Sequence, residues 1–295
     1  MSEGNLNSDR NLYYRLLELL PVQVLKSFIS DDKTKYEIID DILNSQSFTS
    51  IENLFSTNIE SCKQHIYLFD SVHTSTINFN NAPELFDNVF STHIIKSGHD
   101  FRFIYFLKTS QNFISYTNQT ITSIDFLWPI VIEQINNILI IKFVILERAT
   151  NLINDINFEF RHKMVKEQDI VKQIASSINL LFGRRLNITP LDLNKGLKRI
   201  WELNIIDSPS IKAKSEKSTS IENMDLGYYV KKDCPDIYNS MITKPILKTS
   251  FHFIKFHNIF IKRFTINPTF GEVNFNTYSR NGAIKNVIKF LLKYN

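Results

Sequence analysis

Apolar residues recur at helical spacing in the first sixty residues. Ser8 is a candidate N-cap for a helix over residues 9–20, and Pro21 stands where a second helix can begin. The apolar positions between 38 and 43 follow the spacing of a third helix. Helices this short need one another for stability, so residues 1–60 are predicted to form a small helical module.

From residue 64 onwards the spacing changes to that of β-strands. The candidate strands are rich in β-branched and aromatic residues and are bounded by turn-forming residues: 65–69, 101–107, 112–116 and 138–146. They predict one central sheet within residues 61–160. Residues 123–137 are predicted to be a covering helix, because Pro129 is tolerated in the first turn of a helix but not inside a strand.

Two helices are predicted at the start of the last part, residues 161–295. An apolar face indicates a helix over residues 164–182. The sequence Thr189-Pro-Leu-Asp192 has the cap, proline and acid that open a second helix, which runs through about Leu203. Two consecutive helices followed by an extended basic segment have the order of a helix-turn-helix or winged helix.

The end of the chain is predicted to combine a loop, a β-meander and a helix. Residues 208–220 are rich in Ser and Lys without an apolar period, which indicates an exposed loop. The strands of the meander are predicted at 251–256, 259–266 and 271–275, and a final helix starts at about Asn281. The fold class is therefore expected to be α+β.

Composition indicates a globular chain. Of the 295 residues, 43% are apolar and 22% are charged, values typical of folded proteins. Residues 1–10 lack the features of a secretory signal, and no apolar stretch is long enough to span a bilayer, so no membrane association is expected. The two cysteines, Cys62 and Cys234, suit a reduced compartment. We expect a cytoplasmic location, or a nucleoid or nuclear one if the protein binds DNA.

Charge is distributed unevenly along the chain. Residues 1–100 contain 7 Lys and Arg against 14 Asp and Glu, whereas residues 251–295 contain 7 against one. Such asymmetry can orient a protein on a polyanion or bring two copies together.

The sequence Leu20-Pro-Val-Gln-Val-Leu-Lys-Ser-Phe-Ile29 is followed by Lys33-Thr-Lys-Tyr-Glu-Ile-Ile-Asp-Asp-Ile-Leu43, and the segment contains one pattern: a lysine, then paired isoleucines, then Ile-Leu. This pattern resembles the helix pair of SAP or Rho-N-type nucleic-acid modules and covers residues 20–43. The resemblance implies contact with nucleic acid. The acids at 31, 32, 37, 40 and 41 favour a different role, the docking of a protein partner.

Motifs for cofactor chemistry are missing from the sequence. The seven glycines are scattered, so the sequence contains neither a glycine-rich phosphate-binding loop nor a dinucleotide-binding fingerprint. It also lacks the Gly-x-Ser-x-Gly motif of a nucleophile elbow. Cys62-Lys-Gln-His65 has a spacing that can hold zinc, but a second close pair of ligands is lacking. We therefore predict no cofactor and no metal site.

Basic residues carry the clearest functional signal. They lie opposite the apolar positions of two predicted helices, or just before the first of these: Arg184, Arg185, Lys195, Lys198, Arg199, Lys285, Lys289 and Lys293. On the hairpins before the last helix, Lys255, Lys262 and Arg263 are interleaved with phenylalanines. These rings are candidates to stack on unpaired bases, although most belong in a core: Phe251, Phe253, Phe256, Phe260 and Phe264.

These observations predict a DNA-binding or adaptor protein without enzymatic activity. Its basic C-terminal half contacts phosphates, and its acidic N-terminal helices dock a partner. One alternative is a metal-dependent nuclease, for which Glu159 and Arg161 would share a face if their segment were a strand. The other is a protein-interaction scaffold that binds no polyanion.

Overall fold

The computed structural model describes most of the chain. The described residues are 8–29, 33–70, 84–97, 100–115, 121–135, 138–146, 158–161, 167–181, 189–214, 218–254, 263–280 and 282–295. The helices are α1 (Asp9–Glu18), α2 (Val22–Lys26), α3 (Lys35–Ser45), α4 (Phe48–Asn58), α5 (Glu167–Leu181), α6 (Asn194–Glu202), α7 (Val230–Asp233), α8 (Pro235–Ile242) and α9 (Ala283–Lys293).

The strands begin at Gln64, and with the helices they confirm the α+β class. They are β1 (Gln64–Asp70), β2 (Val89–Ser97), β3 (Asp100–Ser115), β4 (Ile121–Ile135), β5 (Ile138–Val144), β6 (Phe158–Arg161), β7 (Thr189–Pro190), β8 (Ile206–Asp207), β9 (Ser210–Lys214), β10 (Thr219–Asn223), β11 (Thr249–Phe253), β12 (Arg263–Asn267) and β13 (Glu272–Phe275).

The chain divides into two compact units, each assembled from separate stretches. The first unit contains residues 1–59, 73–136 and 143–186, and the second contains residues 60–72, 137–142 and 187–295. The predicted helices 164–182 and 189–203 correspond to α5 in the first unit and α6 in the second. They are therefore not parts of one compact helix-turn-helix module.

In the first unit, helices α1 to α4 accompany a sheet of β2, β3 and β4. The β3 strand is antiparallel to both neighbours, and β6 also pairs with it. At the start of α3, Thr34 and Glu37 form a capping box. Helix α1 packs on β4, where the Arg15 guanidinium lies 5.2 Å from the centre of the Phe126 ring. Burial lowers the pKa of Arg15 to about 10.

The predicted covering helix over 123–137 is wrong, because this segment forms most of β4. Pro129 lies inside the strand and pairs with Phe106 of β3. Residues 126–134 are buried without interruption, which is typical of a strand covered on both faces. In an antiparallel pair the N–H groups do not all bond to the same neighbour, so a ladder can accommodate one residue without a donor.

In the second unit, the strand order is β5-β1-β13-β12-β11-β8, and β7 pairs with β1. The meander predicted at 251–275 is confirmed by the antiparallel pairing of β11, β12 and β13. Gly271 adopts a positive φ of 61° in the turn before β13. A Cβ at this position would collide with the carbonyl oxygen of Leu68, so the turn requires glycine.

The exposed loop predicted at 208–220 is also corrected. The described part of this stretch contains β9 and the start of β10, which form an antiparallel hairpin. Ile211 and Ala213 are fully buried, and Ala213 bridges to Ile246. A strand needs only alternate apolar positions, and two of them are enough here to bury one face.

No helix in the described part of the chain has the length and the apolar content needed to cross a membrane.

Candidate nucleic-acid interface

Helices α6 and α9 of the second unit pack against each other at Gly196. A Cβ on Gly196 would collide with the Leu291 carbonyl oxygen, and its backbone N–H donates to Asn295 Oδ1 at 3.2 Å. The first turn of α6 therefore lies directly against the last turn of α9. This contact brings together the two helices on which the sequence predicted basic faces.

The buried side of α6 consists of Leu193, Leu197, Ile200 and Trp201, as predicted. The helix begins at Asn194 rather than near Thr189, because Thr189 and Pro190 pair with β1 instead. The Asp192 carboxylate accepts a hydrogen bond from the Asn194 backbone N–H at 2.9 Å.

The C-terminal end of α6 is fixed by α7 and by a buried carboxylate. Lys231 Nζ donates to the carbonyl oxygens of Trp201 at 2.8 Å and Glu202 at 2.9 Å, both in the last turn of the helix. Asp207, only 2% exposed, accepts a hydrogen bond from Trp201 Nε1 at 3.0 Å. The C-terminal end of α6 is thus held by contacts with α7 and β8.

The three cations of α6 differ in availability. Lys195 is exposed, whereas Lys198 is partly buried, and burial lowers its pKa despite the opposing effect of Asp192 and Glu202. Arg199 is exposed and forms an ion pair with Glu202 at 3.1 Å. Lys195 is therefore accessible to a phosphate, whereas a phosphate that binds Arg199 must compete with the Glu202 carboxylate.

The three cations of α9 form a regular row. Lys285, Lys289 and Lys293 are all exposed, and they lie opposite the buried residues Ala283, Ile284, Val287, Ile288 and Leu291. Because each helical residue rises about 1.5 Å, successive lysines are about 6 Å apart along the axis. No acidic residue follows Glu272 in the sequence, so the row has no anionic neighbour on its own helix.

The two units have net charges of opposite sign. The second unit contains 19 Lys and Arg against 11 Asp and Glu, a net charge of +8, whereas the first contains 15 against 19, a net charge of −4. The other two predicted contacts, Arg184 and Arg185, lie outside the described residues.

The rings predicted to stack on bases are not the exposed ones. Phe251 and Phe264 are core residues, with rings 5.9 Å apart, and Phe253 lies 5.3 Å from Phe264. Phe256 and Phe260 lie outside the described residues. Phe270, in the turn before β13, is exposed, and sequence reasoning missed it because it assigned that turn only a connecting role.

The other segments with candidate chemistry are Cys62 to His65 and the stretch around Glu159. Cys62 is fully buried, and His65 lies in β1 opposite Asn274. Glu159 and Arg161 lie in β6, which makes them two residues apart on a strand as the nuclease hypothesis requires. Among the described residues, no group of three or more His, Cys, Asp or Glu side chains could hold a metal ion.

A buried polar cluster in the first unit was missed. Glu52 of α4 accepts a hydrogen bond from the Tyr13 hydroxyl at 2.5 Å, and its other oxygen lies 2.9 Å from His93 Nε2. Burial and the Glu52 carboxylate raise the pKa of Tyr13. The cluster joins α1, α4 and β2, so its role is structural. Tyr13 and Glu52 are separated by 39 positions, and no local pattern connects them.

Several acidic side chains in the helices of the first unit form ion pairs within that unit. Asp40 pairs with Arg10 at 3.2 Å, and Asp41 pairs with Lys33 at 2.8 Å. Beside them, a cavity of about 350 Å³ is lined by Phe28, Ile42, Gln46, Asn53 and Leu54, among others. This cavity is a concave feature of the region expected to dock a partner.

No family model, curated protein or solved structure matches the chain.

Proposed function

We propose that the protein binds DNA without catalysing a reaction, through the cations of α6 and α9. One observation carries the proposal: the helices that hold the two predicted basic faces pack directly on each other through Gly196 and Leu291. Cations placed together attract a polyanion more strongly than the same cations scattered over a surface.

The expected mode of binding is electrostatic. Lysines about 6 Å apart along a helix can neutralise several phosphates in one region, and each neutralised phosphate releases counterions. Such contacts position a protein on DNA without reading its sequence. The net charge of +8 on the second unit extends the attraction beyond the two helices.

The proposal includes a partner for the first unit. Among the described residues, the cavity beside Phe28 and Leu54 is lined by apolar, hydroxyl and amide side chains and by no cation, which suits a protein segment better than a phosphate. The protein would then act as an adaptor that joins this partner to DNA.

The test is the salt dependence of binding to a fluorescently labelled duplex, measured by anisotropy. Replacing Lys285, Lys289 and Lys293 together by Gln should weaken binding and flatten the logarithmic salt slope by about 2 to 3 units, since each contact accounts for about 0.9. Replacing Lys195, Lys198 and Arg199 should flatten it less, by about 1 to 2 units, because Lys198 is partly buried and Arg199 is paired with Glu202.

A control must separate local contacts from total charge. Replacing Lys26, Lys108 and Lys172 by Gln changes the net charge equally but alters exposed positions of the first unit. This variant should keep the wild-type slope. An equal loss in all three variants, or no binding by the wild type at low salt, would refute the proposal. Cleavage of the duplex when magnesium is added would favour the nuclease alternative.

A further inference from the structure

We infer that the α6–α9 surface prefers single-stranded over double-stranded nucleic acid, with Phe270 as a stacking platform for an unpaired base. The inference rests on the proposed function and assigns that surface its ligand class. It depends on an exposed ring in a turn whose backbone is hydrogen-bonded to the residue just before α6.

Phe270 is exposed, and the backbone beside it packs closely against neighbouring segments. Its side chain is 59% exposed, although it lies between the buried residues Pro268 and Gly271. The backbone of Gly271 lies against Leu68 and Leu191, and the Leu68 N–H donates to the Gly271 carbonyl oxygen at 2.9 Å. Close contacts of the Gly271 backbone therefore fix the turn that carries the Phe270 ring.

The same turn adjoins α6. The Leu193 N–H, just before the first turn of α6, donates to the Pro268 carbonyl oxygen at 2.8 Å. Lys195 lies two residues after Leu193, and the next residue, Gly196, contacts the end of α9. Phe270, Lys195 and Lys293 are thus carried by three backbone segments that meet.

A second ring stands at this junction. Tyr294 follows the last residue of α9, with its ring 5.4 Å from Lys293 Nζ and 5.1 Å from the Phe290 ring. The Tyr294 ring is partly exposed. The junction therefore offers two aromatic rings: Tyr294 lies beside Lys293, and Phe270 lies in the turn that adjoins α6.

Aromatic rings and lysines side by side match the chemistry of unpaired strands. Every base has a flat face that stacks on an aromatic ring, while the lysines follow the phosphates. In a duplex these faces are covered by neighbouring base pairs, so an exposed phenylalanine contributes nothing to duplex binding unless it wedges between base steps. A purely electrostatic surface needs no exposed ring.

The experiment compares a labelled oligothymidylate with a labelled duplex of equal phosphate number, using the full chain. The wild type should bind the single strand more tightly. Phe270→Ala should lower affinity for the single strand by about 5- to 100-fold and leave affinity for the duplex unchanged. The salt slope should also be retained, because no cation is removed. Phe270→Trp should bind the single strand at least as well as the wild type.

Tyr228→Ala is the matched control. Tyr228 is 56% exposed in the same unit but lies on the turn after β10, so its removal should alter neither affinity. Equal binding of both probes by the wild type, or an unaffected Phe270→Ala variant, would overturn the inference and leave the proposed function intact. Failure to bind either probe would instead refute the proposed function itself.

Discussion

Asp207 shows how one buried carboxylate can organise its surroundings. Its oxygens accept four hydrogen bonds, from Trp201 Nε1 and from the backbone N–H groups of Ser208, Lys231 and Lys232, at 2.8 to 3.1 Å. Two of these N–H groups belong to the first turn of α7, which therefore has its N-terminus capped by a distant acid.

Replacing Asp207 by Ala should lower the free energy of unfolding by about 3 kcal/mol or more, because the buried donors lose their acceptor. Urea unfolding followed by tryptophan fluorescence measures the loss. Asp236→Ala, at an exposed position, is the control and should change stability by less than about 0.5 kcal/mol. Equal stability of the two variants would show that Asp207 is not structural.

Buried tyrosines predict a loss of stability at alkaline pH. Burial raises the pKa of Tyr14 to about 12, and burial also raises that of Tyr105 and, with Glu52, that of Tyr13. A tyrosine whose pKa is higher in the folded protein than in the unfolded chain, where it is near 10, stabilises the fold. This contribution is complete below about pH 10 and is lost as the pH rises through the pKa of the folded protein. Tyr13→Phe should make thermal stability fall less steeply above about pH 10. A fall as steep as that of the wild type would exclude Tyr13 as a contributor.

At the scale of elements, the contact between α6 and α9 predicts whether Gly196→Ala raises or lowers the free energy of unfolding. Alanine has a higher helix propensity than glycine, so Gly196→Ala should stabilise an isolated helix by about 1 kcal/mol. In the protein, the added Cβ collides with the Leu291 carbonyl oxygen and forces the helices apart. We therefore expect a net destabilisation of about 1 to 3 kcal/mol, measured by urea unfolding.

The control is Asn286→Ala, at an exposed position inside α9, which should be neutral or slightly stabilising. If Gly196→Ala were as stable as the wild type, the two helices would have to be further apart than described. The same variant should also weaken DNA binding if the surface depends on both helices.

Elements with a clear local pattern could be predicted from the sequence. Helices α1, α5 and α9 and the C-terminal meander lie where the apolar spacing indicated. The failures were segments where tertiary contacts decide the structure. Pro129 suggested a helix, but β4 is stabilised by pairing with β3, and the Ser- and Lys-rich hairpin is stabilised by burial of Ile211 and Ala213.

The candidate interface was predictable only in part. The basic face of each helix follows from residue spacing, and the lysines of α9 are exposed as expected. The contact between α6 and α9 joins residues 99 positions apart, and no pattern in the sequence connects them. Phe270 was missed because the exposure of one ring depends on the turn that holds it.

At the scale of the whole molecule, the second unit depends on segments far from its main stretch. Residues 60–72 and 137–142 supply β1 and most of β5, including the buried ion pair of Lys142 with Glu60 at 2.7 Å. Without them, β13 would lose its pairing with β1.

A fragment of residues 187–295 should therefore show no cooperative unfolding transition, although it contains every cation of α6 and α9. Circular dichroism during heating measures this, with the full chain as the reference. A cooperative transition of the isolated fragment would show that β1 is dispensable. Binding studies should accordingly use the full chain.

The pairing of β1 with β13 also sets an order of events during synthesis. Gln64 pairs with Phe275, so the partner of β1 leaves the ribosome more than 200 residues later. At translation rates of about 5 to 20 residues per second, this delay lasts about 10 to 40 s. Throughout that interval one edge of β1, with its apolar residues Ile66 and Leu68, lacks its final neighbour. The yield of native protein is therefore expected to depend on what protects this strand while translation continues.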